Sequence, residues 1–241
     1  MRLRLIGCEV FSRPVYKAAA ASGNTVDMIF TKMRSHTKPE QLKSEIQSII
    51  DSTPEGYDAI LLGYGLCGNG TAGLKARSLP LVIPRAHDCC TIFLGSREAF
   101  REHFGQTPSA QWYTVCNYER QGNRYTDNPL DMLMPDLGMS YRELVDKYGE
   151  ENAQYVLESL KSENSVDFLT YIELPGFDNR SAREAFKKYA AREGKKTRFV
   201  KGSTRIIDDL VDGKWNVDEF LTVPPGMEIK PVYDQEHILG L

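Results

Sequence analysis

Short apolar runs alternate with helix-forming stretches through the first hundred residues, and that alternation leaves few architectures open. Residues 3–10 (LRLIGCEV) predict a strand. Arg13 to Ser22, with Pro14 near its start and an alanine run, predicts a helix closed by Gly23-Asn24. Thr25–Phe30 predicts a second strand. From Lys38 to Asp51, Leu42, Ile46, Ile49 and Ile50 recur at helical spacing behind Pro39. Asp58–Leu62 and Pro80–Ile83 predict buried strands, and residues 91–104 a helix. Apolar strands separated by helices imply a parallel, doubly wound sheet.

Residues 105–140 break the pattern. They are rich in Pro, Gly, Asn, Asp and aromatics and predict a long irregular connection, with Trp112 and Tyr113 on a short strand. Residues 141–162 predict one charged amphipathic helix. The alternation then resumes, with strands at Val166–Ile172, Thr197–Val200 and Glu219–Val223 and helices at Arg180–Arg192 and Thr204–Val211. The expected fold is α/β, with two doubly wound, parallel-sheet, flavodoxin-like units around a cleft. Their bounds are 1–104 and 164–241, with 105–163 as connecting segment and helix.

Thirty basic against thirty-three acidic residues leave a formal charge of -3, so broad electrostatic binding to nucleic acid is not expected. No apolar run approaches the ~20 residues that span a bilayer. The apolar stretch of MRLRLIGCEV is too short and interrupted for a signal peptide, which makes the cytoplasm the expected compartment. There an odd set of five cysteines argues against a disulfide framework.

The cysteines fall where function concentrates. Cys8 ends the first strand, Cys67 lies in the loop leaving the third, and His87, Asp88, Cys89 and Cys90 follow the fourth. Ligands of open α/β sheets bind outside the carboxyl ends of strands. Cys8, Cys67, His87 and Cys89 are therefore expected to converge as a metal site. Three thiols and an imidazole suit zinc, while thiolate-rich sites also hold iron–sulfur clusters or copper(I). Glu9 is a further oxygen donor beside them, Cys90 is expected to point away, and Cys116 is left out. Cysteine is also among the most buried residue types, so three strand-end thiols in the core remain the bland alternative.

The segment Gly63 to Gly70 (GYGLCGNG) carries four glycines. Gly65, Gly68, Asn69 and Gly70 are expected to bring backbone amides to an anion at a helix start before Thr71–Ala76, or else to form a tight turn. It is no Walker loop, since no Lys-Ser/Thr follows. Arg85 is a candidate for an anionic substrate or for a surface salt bridge, and Asp88 for a helix N-cap. Lys201, Ser203, Thr204 and Arg205, between a strand and a helix, are candidate anion contacts, with a plain N-cap as the simpler role. They and Glu173–Phe177 are expected to face the cysteine cluster across the cleft. Trp112, Tyr113, Tyr118 and Tyr125 are expected to pack beneath the connection or close over a planar ligand. His36, His103 and His237 are expected at the surface.

CEV, GYGLCGNG after DAILL, IPRAHDC with LGS downstream, and KWNVDEFLTVPPG together resemble an uncharacterised prokaryotic family, the domain of unknown function numbered 1638. The resemblance maps Cys8, Cys67, His87, Asp88 and Cys89 as motif residues. It also implies a setting beside corrinoid-dependent methyltransferases in anaerobic one-carbon metabolism, with a corrinoid protein or methyltransferase as partner. The leading expectation is a metal-binding protein in or supporting corrinoid-linked methyl transfer. As an enzyme it would use a zinc–thiolate site to activate a thiol substrate, with one coordination position open and the substrate's anionic part held by the glycine loop and Arg85. An iron–sulfur or metal carrier for a partner enzyme is the alternative. A small-molecule domain without metal is the third.

Overall fold

A computed structural model of the chain describes residues 1–108, 110–122, 125, 133–134, 139–163, 166–232 and 238–241. The chain opens on β1 (Arg2–Cys8), α1 (Ser12–Ala21) and β2 (Thr25–Thr31). Then come α2 (Pro39–Asp51), β3 (Ala59–Gly63), β4 (Leu81–Pro84), α3 (Cys89–Leu94) and α4 (Arg97–Phe104). The expected helix over 91–104 is thus two helices, because Gly95 turns left-handed at φ 87 between them. Further on lie β5 (Trp112–Tyr113), α5 (Val115–Arg120), β6 (Leu133–Met134), β7 (Met139–Ser140), α6 (Tyr141–Tyr148) and α7 (Glu150–Glu163). Gly149, at φ 82, divides the single charged helix expected over 141–162. The chain ends with β8 (Phe168–Glu173), α8 (Arg180–Arg192), β9 (Lys196–Lys201), α9 (Arg205–Asp212), β10 (Phe220–Val223), β11 (Lys230–Pro231) and β12 (Leu239–Gly240).

These elements group into two compact units, Met1–Phe100 with Gly202–Leu241, and Arg101–Lys201. The expectation of consecutive segments with boundaries at 104 and 164 differs from this, because the last forty residues return to the first unit. There the sheet runs β10-β4-β3-β1-β2, parallel except for β10, which pairs antiparallel with β4. β4 is buried along its whole length, and an open edge there would bury unpaired backbone groups. β10 covers that edge, and the Arg85 amide extends the pairing to the Glu219 carbonyl at 2.7 Å.

Alternation along the strands places a core on each face of this sheet. Ile6, Ile60 and Leu62 meet Leu42, Ile46 and Ile50 of α2, together with Ile229, Ile238 and Leu239 of the returning chain. Leu3, Leu5 and Leu61 point the other way and are equally buried. On that side α9 packs on β3 and β4, and α1 packs on α9.

The Arg101–Lys201 unit holds a parallel sheet in the order β5-β8-β9. Its core is aromatic: Phe186 of α8 lies within 5.5 Å of the Tyr113 and Tyr171 rings, centroid to centroid. Tyr125 stands 5.1 Å from Tyr113 and 5.2 Å from Tyr118. These aromatics pack against one another, the bland half of their expectation. Thr114 and Asn117 cap α5 reciprocally. No helix among the described residues is long and apolar enough to cross a membrane.

Candidate functional site

Three parallel strands end side by side, and each hands its next residues to one small cavity. Cys8 is the last residue of β1, in register with Thr31 at the end of β2. Cys67 lies four residues past β3, in a loop stitched to the chain leaving β4: Leu66 N donates to Ala86 O at 2.8 Å and Cys67 N to His87 O at 2.9 Å. That contact requires Gly65, since a Cβ there would stand 2.6 Å from Ala86 O. Cys89 begins α3, whose amino end Asp88 caps by accepting from Thr91 N at 3.1 Å. The cap is the role its spacing predicts.

The three thiols line a cavity of about 20 Å³ together with Phe11, Leu42, Tyr64, Lys32 and His36. The volume suits one water or one ion. Tyr64 closes it below, its hydroxyl 2.8 Å from Thr31 Oγ1. Loss of water pushes the Cys8 thiol up to about 11 and the Cys67 thiol to about 12, and takes Cys89 well above its usual value. After desolvation, Asp88 raises Cys67 and Cys89, while at Cys8 a backbone hydrogen bond with Val10 lowers the value and Glu9 raises it. The sulfurs also act on one another: a negative charge on Cys8 opposes one on Cys67 or Cys89. All three are therefore neutral thiols at pH 7. None of the five cysteines forms a disulfide.

Cys67 takes a left-handed backbone, φ 49, as does Asn69 at φ 70. A side chain other than glycine in that region costs on the order of 1 kcal/mol. The loop pays this while directing a thiol inward.

The imidazole at the cavity is His36, not the expected His87. His87 is exposed and does not line the cavity. Its carbonyl is fixed to Cys67 N, and the following residue turns inward as the helix cap, so its side chain is left outward. His36 belongs to a 3-10 turn, Ser35–Thr37, that follows β2. Desolvation lowers its pKa; Asp88 opposes that shift and Arg34 adds to it. His36 is exposed, as its expected surface position requires, and it also lines the cavity. The signal that would have found it is the same strand-end rule, applied to β2, whose end adjoins that of β1. Among the described residues no group of three or more His, Cys, Asp and Glu side chains stands ready to hold a metal ion. The four side chains converge without being drawn in to coordination distance.

Other expected roles resolve differently. Glu9 accepts from Met33 N at 2.8 Å and so ties the segment carrying His36 to the end of β1. Arg85 bonds the carbonyls of Val217 and Leu239, which assigns it to holding the returning chain rather than to an anion. Residues 67–73 form successive turns in place of the expected helix start, and Gly70 N is spent on Cys67 O at 3.2 Å. The glycine loop therefore presents no helix amino terminus; Gly65, Gly68, Asn69 and Gly70 shape a turn. Arg205 pairs with Glu219 and Asp209, Thr204 bonds Asp208 at 2.8 Å, and Ser203 accepts from Arg205 N at 3.1 Å, so the anion contacts expected there are already occupied. Lys201 lines an open depression of about 490 Å³ with Glu173, Phe177 and Arg183, in the Arg101–Lys201 unit. Cys90 and Cys116 are buried and do not line the cavity. His237 and much of the connection over 105–140 lie outside the described residues.

A family model described as a protein of unknown function (DUF1638) matches residues 30–211. The matched span includes His36, Cys67, His87 and Cys89 and stops short of Cys8 and the KWNVDEF segment. No curated protein matches the chain.

Proposed function

The chain belongs to the DUF1638 family, and we propose that within it this protein holds one thiophilic metal ion through Cys8, Cys67 and Cys89, in support of corrinoid-linked methyl transfer. The observation that carries the reading is a left-handed Cys67 on a cavity of one-ion size that Cys8 and Cys89 also line. A merely structural thiol gives no reason to bear that backbone cost.

The chemistry narrows the choices. Thiols held at about 11 and 12 supply almost no thiolate at pH 7 and make poor nucleophiles or redox centres. A dication reverses that balance, because coordination deprotonates a thiol outright. The exchange is one M²⁺ for three thiol protons, leaving a tris-thiolate of net charge minus one. Lys32, on the same cavity, is placed to offset that charge. An iron–sulfur cluster brings at least four atoms, and a methyl acceptor more; neither fits about 20 Å³. The size therefore favours an accessory, ion-holding role over a cluster carrier or an enzyme activating a thiol substrate in that cavity. The parallel order β2-β1-β3-β4, with helices on both faces, supports a flavodoxin-like reading of this unit, whose strand ends are the usual ligand edge.

The test is elemental analysis with an absorption spectrum on protein purified without oxygen. About one zinc per chain and no visible colour is the expected result. A brown protein with stoichiometric iron would establish the cluster carrier instead, and metal-free protein from a metal-replete culture would leave the small-molecule domain.

A further inference from the structure

We infer that the Arg101–Lys201 unit carries a ligand site of its own, for a small monocarboxylate with an apolar body, in the depression at the carboxyl ends of β8 and β9, and that Lys201 is the residue that meets the carboxylate. The inference is independent of the metal-holding reading.

The depression holds about 490 Å³, the size of a small-molecule pocket, and lies where a parallel sheet presents its strand ends. Lys201 ends β9 in register with Glu173, the last residue of β8, so the two side chains share one face. Glu173 is the carboxylate placed to neutralise that lysine, yet it bonds Arg183 at 2.8 Å. Arg183 is braced there, its guanidinium 4.9 Å from the centre of the Phe199 ring. Arg180 in turn pairs with Asp178 at 2.7 Å. The lining therefore carries three cations against two carboxylates, both carboxylates are engaged, and among the described residues the Lys201 ammonium has no ion pair. A surplus of one positive charge suits one carboxylate, and a phosphate dianion would exceed it. An ammonium is a compact point charge with three donors, able to meet a carboxylate oxygen from several sides. Pro175, exposed, and Phe177, half-buried, give the depression an apolar wall for the rest of the molecule. The rim is shaped before a ligand arrives. Asn179 Nδ2 donates to Leu174 O at 3.0 Å and to Phe177 O at 2.9 Å, and its Oδ1 accepts from the hydroxyl of the buried Tyr171 at 3.1 Å. Gly176 takes the left-handed turn this loop needs, at φ 78. A loop fixed from below leaves a ligand little ordering to supply.

Titration of the isotope-labelled full chain with benzoate, followed through its amide resonances, tests this, with benzamide as the neutral isostere and phenyl phosphate as the dianion. Benzoate should give saturable shifts centred on residues 173–180 and on Lys201. Benzamide should bind about tenfold more weakly or worse, and phenyl phosphate no more tightly than benzoate. Lys201→Met should weaken benzoate by about tenfold or more while leaving the amide pattern elsewhere unchanged. Lys187→Met removes a lysine of α8 that pairs with Glu184 outside the depression, and it should bind as wild type does. Shifts absent at about 20 mM benzoate or centred elsewhere, benzamide binding equal to benzoate, or Lys201→Met with wild-type affinity overturns the site. Phenyl phosphate binding about tenfold tighter than benzoate overturns the monocarboxylate assignment.

Discussion

Cys67 separates the demands of folding from those of the site. Glycine accepts φ 49 without cost, so Cys67→Gly relieves backbone strain while giving up the packing of one small side chain. Its metal-free stability should stay within about 1 kcal/mol of wild type, by denaturant unfolding, while metal content collapses. Cys8→Ser and Cys89→Ser should also lose the ion, because a hydroxyl is a hard, poor replacement for thiolate, whereas Cys116→Ser should keep it. At Gly65 the constraint is steric: Gly65→Ala sets a Cβ 2.6 Å from Ala86 O and 2.9 Å from Asp88 N, both backbone atoms. It should cost about 1–3 kcal/mol, while Gly23→Ala, with nothing within 4 Å of its Cβ, should be nearly silent. At this scale the cysteines were legible because strand ends are readable from apolar runs, and the position of a ligand edge follows from them. His36 was not, because its placement depends on a left-handed Arg34 and a three-residue turn, neither of which has a periodic pattern.

Elements were legible where local pattern and burial agree. The β1-α1-β2-α2-β3 run follows the sequence expectation closely, because its apolar periods are also its core contacts. The single helices expected over 91–104 and 141–162 each divide at a glycine whose left-handed turn overrides helical periodicity, Gly95 and Gly149. Where β10 belongs was not legible: a four-residue apolar strand pairs with any exposed edge, and only the tertiary need of β4 selects it. Arg85 is the side chain that secures this return. Arg85→Ala should lower stability by about 1.5–3 kcal/mol through its lost carbonyl bonds and leave the ion stoichiometry unchanged. Loss of the ion with unchanged stability would restore Arg85 to a binding role.

For the whole molecule, three high thiol pKa values become a pH dependence. The unfolded chain releases a cysteine proton near ~8.5, while the folded, metal-free chain keeps those of Cys8 and Cys67 until about 11 and 12. Between these limits the folded state binds more protons, so this contribution is complete below about pH 8.5 and is lost as pH rises toward 11–12. Unfolding of metal-free protein at pH 7.5 and 10 should show that loss, and the Cys8, Cys67 and Cys89 triple serine variant should lack it. Equal pH dependence in the two proteins would show that the thiols are not buried as described. Loading works in the opposite sense: each ion should release about three protons, which calorimetry in two buffers of different ionisation enthalpy counts. The sulfurs around one ion decide most directly whether the protein holds a metal. X-ray absorption at the zinc edge of loaded protein reads them, and the prediction is one ion per chain with three sulfur neighbours at ~2.3 Å. A first shell of oxygen and nitrogen, with one sulfur or none, would contradict it.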